Sequence, residues 1–198
     1  MFGVAIAIGY VLGSLPFGYL AGRVRGINIM KIGSGNIGAT NVLRVLGPFW
    51  AVLVLLMDAG KGALAAYTGA QLVAAQPHWG AVIGGGAALL GHTWSVFLGF
   101  RGGKGAATGA GVALFIVPEV TLIAILIFVI TIAVSRYVSL GSLLGAFSAM
   151  ISVLILPTPT PFRVLILVGG LLIVFRHRTN IQRLLSGTEA RLGEKVGR

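Results

Sequence analysis

GALAAYTGAQLVAAQPHWGAVIGGGAALLGHTWSVFLGF, residues 62–100, runs for 39 residues without a Lys, Arg, Asp or Glu. As one α-helix it would be about 58 Å long, close to twice the hydrocarbon core of a bilayer. A charge-free run of that length has to cross, turn and cross back. Gln76, Pro77 and His78 are the polar, helix-breaking place where it turns. The pattern predicts spans at about 49–75 and 79–99. The first of them carries Asp58 and Lys61, three residues apart and therefore able to pair on one helix face.

The rest of the chain repeats this grammar. Of 198 residues, 57% are hydrophobic and 10% charged, a balance suited to a bilayer rather than to water as solvent. Met1 to Gly22 is uncharged and long enough to cross, and its basic flank, Arg23 and Arg25, follows it. That order reads as a retained span with its N-terminus outside, because a cleaved leader carries its positive charge first. Gly105–Val117 and Val120–Ser135, split by Pro118 and Glu119, are taken as two crossings. A single crossing would export the basic tail of Arg176, Arg178, Arg183, Arg191, Lys195 and Arg198 against the positive-inside rule. Tyr137–Leu156, the PTPTP turn at Pro157–Pro161 and Phe162–Phe175 complete the count.

The predicted fold class is an all-α integral membrane protein of about seven transmembrane helices, N-terminus outside and C-terminus cytoplasmic, forming a single domain over 1–198. Thirteen of its fifteen Lys and Arg then lie in the cytoplasm, leaving Arg163 outside and Lys61 within a span. Gly9 and Gly13, Gly80 and Gly84, and Gly141 and Gly145 are small-xxx-small pairs suited to close helix packing. The net charge of +11 follows the same topology, since the cations flank apolar runs; nucleic acid is not an expected partner. With no cysteine, disulfides, thiolate catalysis and Cys-based metal sites are excluded.

Three polar stretches fall on the cytoplasmic face under this topology, and they are expected to form one site. GFRGGKGAAT (Gly99–Thr108) threads glycines around Arg101 and Lys104, a composition that suits a phosphate nest, with a helix starting near Gly105 to aim its N-terminus at the anion. Arg101 reads equally well as an interfacial cation. GSGNIGATNVLR (Gly33–Arg44) offers Ser34, Asn36, Thr40 and Asn41 as hydrogen-bonding groups and Arg44 as a bidentate phosphate clamp. RHRTNIQRLL (Arg176–Leu185) sets His177 and Asn180 three apart on one helical face. His78 belongs to an outer turn, and His92 reads as a hydrogen-bonded packing residue near the inner end of a span. GSGNIG matches the dinucleotide pattern, but a membrane helix precedes it where that pattern needs a strand. The Walker pattern fails too, because Leu98 and Gly105 stand where it needs Gly and Ser or Thr.

GSGNIGATNVLR, GHTWSVFLGFRGGKGAAT (Gly91–Thr108) and FRHRTNIQRLLSGTE (Phe175–Glu189), in this order between spans, resemble the three motifs of the bacterial acyl-phosphate:glycerol-3-phosphate acyltransferase family. DAGKG (Asp58–Gly62) and RYVSLGS (Arg136–Ser142) extend the resemblance nearly end to end. It implies transfer of a fatty acyl group from acyl phosphate to the 1-hydroxyl of glycerol 3-phosphate, giving lysophosphatidate and phosphate, the first step of bacterial phospholipid synthesis. The family's essential Ser and Arg fall on Ser34 and Arg44, its glycerol 3-phosphate site on Gly102, Gly103 and Lys104, and its His and Asn on His177 and Asn180. Glu189 takes the place of a structural acid, and Ser142 of a further site residue.

Acyl phosphate is already activated, so no metal and no cofactor is expected, only cations and N–H donors for two phosphates and an oxyanion. The proton of the attacking hydroxyl goes either to His177 or, the favoured reading, to the substrate's own phosphate, whose second pKa is about 6. The acyl donor arrives from the bilayer and glycerol 3-phosphate from the cytoplasm, placing the protein in the bacterial inner membrane. Coenzyme A is not expected: the H-x-x-x-x-D pair of that acyltransferase class is absent, with Ile83, Phe97 and Gln182 five residues after the three histidines. An anion transporter is the reading from another class, favoured by glycines and intramembrane charges but opposed by the one-sided polar residues. No feature of the sequence sets an oligomeric state, and a monomer is the default expectation.

Overall fold

The computed structural model describes residues 1–194, which contain ten α-helices and no β-sheet. Lys195 and Arg198 of the basic tail lie outside the described residues. The helices are α1 (Phe2–Ser14), α2 (Phe17–Val24), α3 (Ala39–Leu46), α4 (Pro48–Leu72), α5 (Pro77–Thr93), α6 (Ala106–Ile116), α7 (Pro118–Ser135), α8 (Val138–Ile155), α9 (Thr160–Arg176) and α10 (Arg178–Leu185). Prolines set many of the boundaries. Pro48, Pro77 and Pro118 open α4, α5 and α7, where a missing N–H costs nothing, and Pro16 divides α1 from α2 by forcing Leu15 out of helical geometry.

The described residues form two compact units, Met1–Val112 together with Gly193 and Glu194, and Ala113–Leu192. In the first, α1, α4 and α5 pack against one another and α3 packs on α4. Their contact faces are glycine-lined, as the small-xxx-small pairs predict. A β-carbon on Gly9 would strike the Gly84 carbonyl, and one on Gly13 the Ala88 carbonyl. In the second unit α8 packs between α7 and α9, with Gly141 and Gly145 turned toward Phe128 and Ala124. Large apolar side chains face outward along the long helices; Leu126 and Val134 of α7 are 59% and 83% exposed, which water would penalise and lipid does not.

The number of crossings is where sequence pattern and helix length differ. Four stretches are long and apolar enough to span: Phe2–Val24, Pro48–Leu72, Pro118–Ser135 and Val138–Ile155. Thr160–Arg176 with Arg178–Leu185, bent by 56°, makes a fifth if counted as one. Of the remaining expected spans, α5 has 17 residues and α6 only 11. At 1.5 Å per residue, α6 covers about 16 Å, roughly half the hydrocarbon thickness. Gly105 and Pro118 bound this segment in the sequence as in the structure, and the eleven helical residues between them are too few for a full crossing.

Candidate active site

The first motif is a loop folded around one side chain. Asn41 sits in the first turn of α3, 1% exposed. Its Nδ2 donates to the carbonyls of Ile29 (3.1 Å), Ile32 (3.1 Å) and Asn36 (2.9 Å), and its Oδ1 accepts the Ser34 N–H at 2.9 Å. One amide thereby gathers four backbone groups of residues 29–36, one more than two protons and one oxygen satisfy singly, so the two protons are shared among three carbonyls. Gly33, at φ +64°, lies against the same Oδ1, where a β-carbon would collide with it. Asn36 accepts the Gly38 N–H at 2.8 Å in an Asx turn just before α3. Ser34 is left exposed at the loop crest, while Thr40 and Arg44 stand half-buried one turn apart on α3.

The second motif is tied to the end of α5 through backbone. Ser95 and Arg101 form an isolated antiparallel bridge, and the Gly103 N–H donates to the His92 carbonyl at 3.0 Å. The Gly103 amide is thus committed to the fold, and what Gly103 offers is the absence of a side chain. A β-carbon there would collide with His92 Nε2, and one on Gly102 with the His92 carbonyl. Lys104 is half-buried, Arg101 exposed, and α6 begins at Ala106, as the nest reading expects. Below it, Lys61 Nζ stands 2.7 Å from Asp58 Oδ1, the pair that its spacing predicts, and donates to the Leu15 carbonyl at 2.7 Å.

In the second unit the third motif is a side-chain network centred on a carboxylate. Glu189 Oε1 accepts from Ser139 and from Asn180 Nδ2, each at 2.7 Å, and Oε2 accepts from Arg183 Nε at 2.9 Å. Burial pushes the Glu189 carboxyl up, but these three hydrogen bonds and the Arg183 charge together outweigh it and hold the group below the ordinary glutamate range. His177, 4% exposed, occupies the junction of α9 and α10, with Nδ1 2.8 Å from the Ile173 carbonyl. A carbonyl can only accept, so Nδ1 carries a proton. His177 and Asn180 are both buried there, as their spacing suggests. Ser142 is half-buried and back-bonded to the Val138 carbonyl at 3.0 Å.

Residues 136–142 serve a purpose that sequence reasoning missed. Arg136, at φ +64°, donates from Nη2 to the Leu192 carbonyl at 2.7 Å and accepts the Leu192 N–H at 2.7 Å, and Arg191 lies over the Tyr137 ring. These contacts hold the segment after α10 so that Glu189 meets Ser139. The RYVSLGS stretch was itself a signal, but nothing local in it names Ser139 as the partner of a residue fifty positions later.

A family model described as glycerol-3-phosphate acyltransferase matches residues 3–187. The glycerol-3-phosphate acyltransferase of Symbiobacterium thermophilum is 44% identical over 194 residues, covering 98% of this chain and 96% of that protein. Glycerol-3-phosphate acyltransferase 1 of Deinococcus radiodurans is 44% identical over 193 residues, with the same coverage of 98% and 96%. Among solved structures, the chain is similar to PlsY (YgiH), an integral membrane glycerol 3-phosphate acyltransferase. Its glycerol 3-phosphate form gives a TM-score of 0.92 at 38% identity, over 97% of this chain and 96% of that one. The lysophosphatidic acid form gives 0.89 at 38% identity, over 97% and 95%.

Proposed function

The chain belongs to the glycerol-3-phosphate acyltransferase family and is an integral membrane acyltransferase, and we propose that its acyl donor is acyl phosphate, used at the cytoplasmic face of the inner membrane. Glycerol 3-phosphate is the acceptor and lysophosphatidate the product. The observation that carries this reading is the likeness, over nearly the whole chain, to one enzyme solved both with its acceptor and with its acylated product. Acyl phosphate as donor is supported by the three motifs in register and by the missing H-x-x-x-x-D pair.

The 1-hydroxyl of glycerol 3-phosphate attacks the acyl carbonyl carbon, the carbonyl electrons move onto oxygen, and collapse of that oxyanion expels inorganic phosphate. In the first unit, Ser34, Asn36, Thr40 and Arg44 bind and neutralise phosphate oxygens, with Asn41 shaping the loop that presents them. Gly102, Gly103 and Lys104 hold the phosphate of glycerol 3-phosphate. In the second unit, Asn180 and His177 orient the reactants, with Ser142 as a further polar contact. The hydroxyl proton passes to the substrate's phosphate, a step that needs no side-chain base of raised pKa. His177 is the alternative base. The chain needs no metal, no cofactor and no coenzyme A for this chemistry, and a monomer suffices.

The test is direct. Purified protein given palmitoyl phosphate and glycerol 3-phosphate is expected to release inorganic phosphate only when both are present. Formation of lysophosphatidate with release of free coenzyme A thiol from palmitoyl-coenzyme A would assign the other donor class, and movement of phosphate across proteoliposomes without acylation would favour a transporter.

A further inference from the structure

A buried chain of polar groups that the reaction itself does not use runs beneath the second motif, inside the Met1–Val112 unit. It begins at the break between α1 and α2, where Lys61 Nζ caps the Leu15 carbonyl at 2.7 Å and lies 5.4 Å from the centre of the Phe17 ring. It continues through the ion pair to Asp58, 2.7 Å away, and from Asp58 Oδ1 to His92 Nδ1, a 3.5 Å electrostatic contact that makes no hydrogen bond. All three side chains are nearly inaccessible; Asp58, Lys61 and His92 are 2%, 5% and 3% exposed. The chain ends at Gly103, against which the far nitrogen of the imidazole, Nε2, is packed so closely that a β-carbon would overlap it.

An ion pair buried among membrane helices is costly to desolvate, and an apolar pair of equal volume would be cheaper. Fold stability alone does not account for it. What the pair does provide is a fixed electrostatic anchor for one edge of the His92 ring, whose other edge supports the glycine immediately before Lys104. His92 acts on that glycine twice, through the ring and through its own carbonyl, which accepts the Gly103 N–H at 3.0 Å. Buried beneath the loop, the ring cannot itself reach a ligand.

We propose that His92, braced by Asp58 and Lys61, is a positioning residue for glycerol 3-phosphate: its imidazole sets the height of the Gly103 backbone and with it the placement of Lys104. This rests on the reading of the second motif as the glycerol 3-phosphate site. Asparagine and glutamine divide the two edges of the ring, since Asn can imitate Nδ1 toward Asp58 while only Gln reaches the position of Nε2 under Gly103. His92→Asn and His92→Ala are expected to raise the KM for glycerol 3-phosphate about tenfold, with the KM for acyl phosphate unchanged and kcat within about threefold of wild type. His92→Gln is expected to recover most of that KM.

Steady-state kinetics on purified variants, with thermal unfolding midpoints measured alongside, decide the matter. Equal behaviour of Asn and Gln, or a joint fall of kcat and both KM values in step with the midpoint, would overturn the proposal by making the ring a packing element. If His92→Ala does not fold, the Asn and Gln pair still carries the comparison. Lys104→Ala separates this inference from the reading beneath it. A KM for glycerol 3-phosphate that Lys104→Ala leaves unchanged removes the second motif as its site, whereas a raised KM there beside wild-type values in all His92 variants sinks the role of His92 alone.

Discussion

The two units build their polar regions from opposite materials. In Met1–Val112 the first and second motifs are shaped backbone: glycines allow the turns, Asn41 gathers four main-chain groups, and the Gly103 N–H is tied to the His92 carbonyl. In Ala113–Leu192 the third motif is side chain on side chain, with Ser139, Asn180 and Arg183 converging on Glu189. The Ser34, Gly38 and Gly103 N–H groups are spent on the fold, so a loop of this kind serves a phosphate by the room its glycines leave and by the side chains it carries, Arg44 and Lys104 among them. A single reacting hydroxyl needs one or two groups held at a fixed angle, which is what packed side chains supply. On the proposed roles the difference is one of ligand demand, and it says which substitutions should disorder a whole loop and which should remove one contact.

The largest effect is expected at the hinge of the backbone-built region. Asn41→Leu leaves the carbonyls of Ile29, Ile32 and Asn36 and the Ser34 N–H without their partner, at roughly 1–3 kcal/mol for each group that stays buried. Its kcat/KM should fall more than about a hundredfold. Asn41→Asp should do no better, because it keeps the acceptor for Ser34 but faces three carbonyls with none of the protons they need. Retention of a tenth of wild-type activity by either variant would break the contrast, since the loop would then hold its shape without its bracket.

An intermediate effect is expected in the side-chain region. His177→Ala should lower kcat about ten- to a hundredfold while both KM values stay close to wild type, the cost of lost orientation where the substrate's phosphate takes the proton. A loss of several thousandfold would instead make His177 the base and sharpen the contrast into one of binding against chemistry.

The smallest effect is one of stability. Because Glu189 is held below its ordinary value of 4.5, its stabilisation is complete above that pH and fades as pH falls from there through the lower native value. The unfolding midpoint of the wild type should be flat from neutral pH down to about 5 and then decline, and Glu189→Gln should lack part of that acid decline. An acid decline identical in the two proteins would show that the carboxylate is not the keystone of its network.

Much of this molecule was readable before any coordinates. The charge-free run at 62–100 announced membrane helices, the prolines marked helix starts, Asp58 and Lys61 announced their pairing by spacing, and the motif residues were legible as a set. Less legible was which polar residues are spent on the fold. Asn41 and Ser34 look alike in sequence as hydrogen-bonding groups, yet one is buried against backbone and the other stands at the loop crest. The number of crossings was also hidden, because a short apolar run such as Gly105–Val117 does not reveal whether its helix crosses the bilayer.

Sequence alone determined the solvent this chain lives in, the helical class, the basic flanks and the inventory of polar and cationic residues proposed to bind phosphate, because hydropathy, charge and residue chemistry are local properties. Only the tertiary structure decided that Asn41 is a bracket, that His92 lies beneath Gly103, that His177 Nδ1 carries a proton and that Glu189 joins Ser139 to Asn180. Each of these is a meeting of groups brought together by packing, in several cases across dozens of residues, and the direction of a hydrogen bond exists only once both partners have been placed.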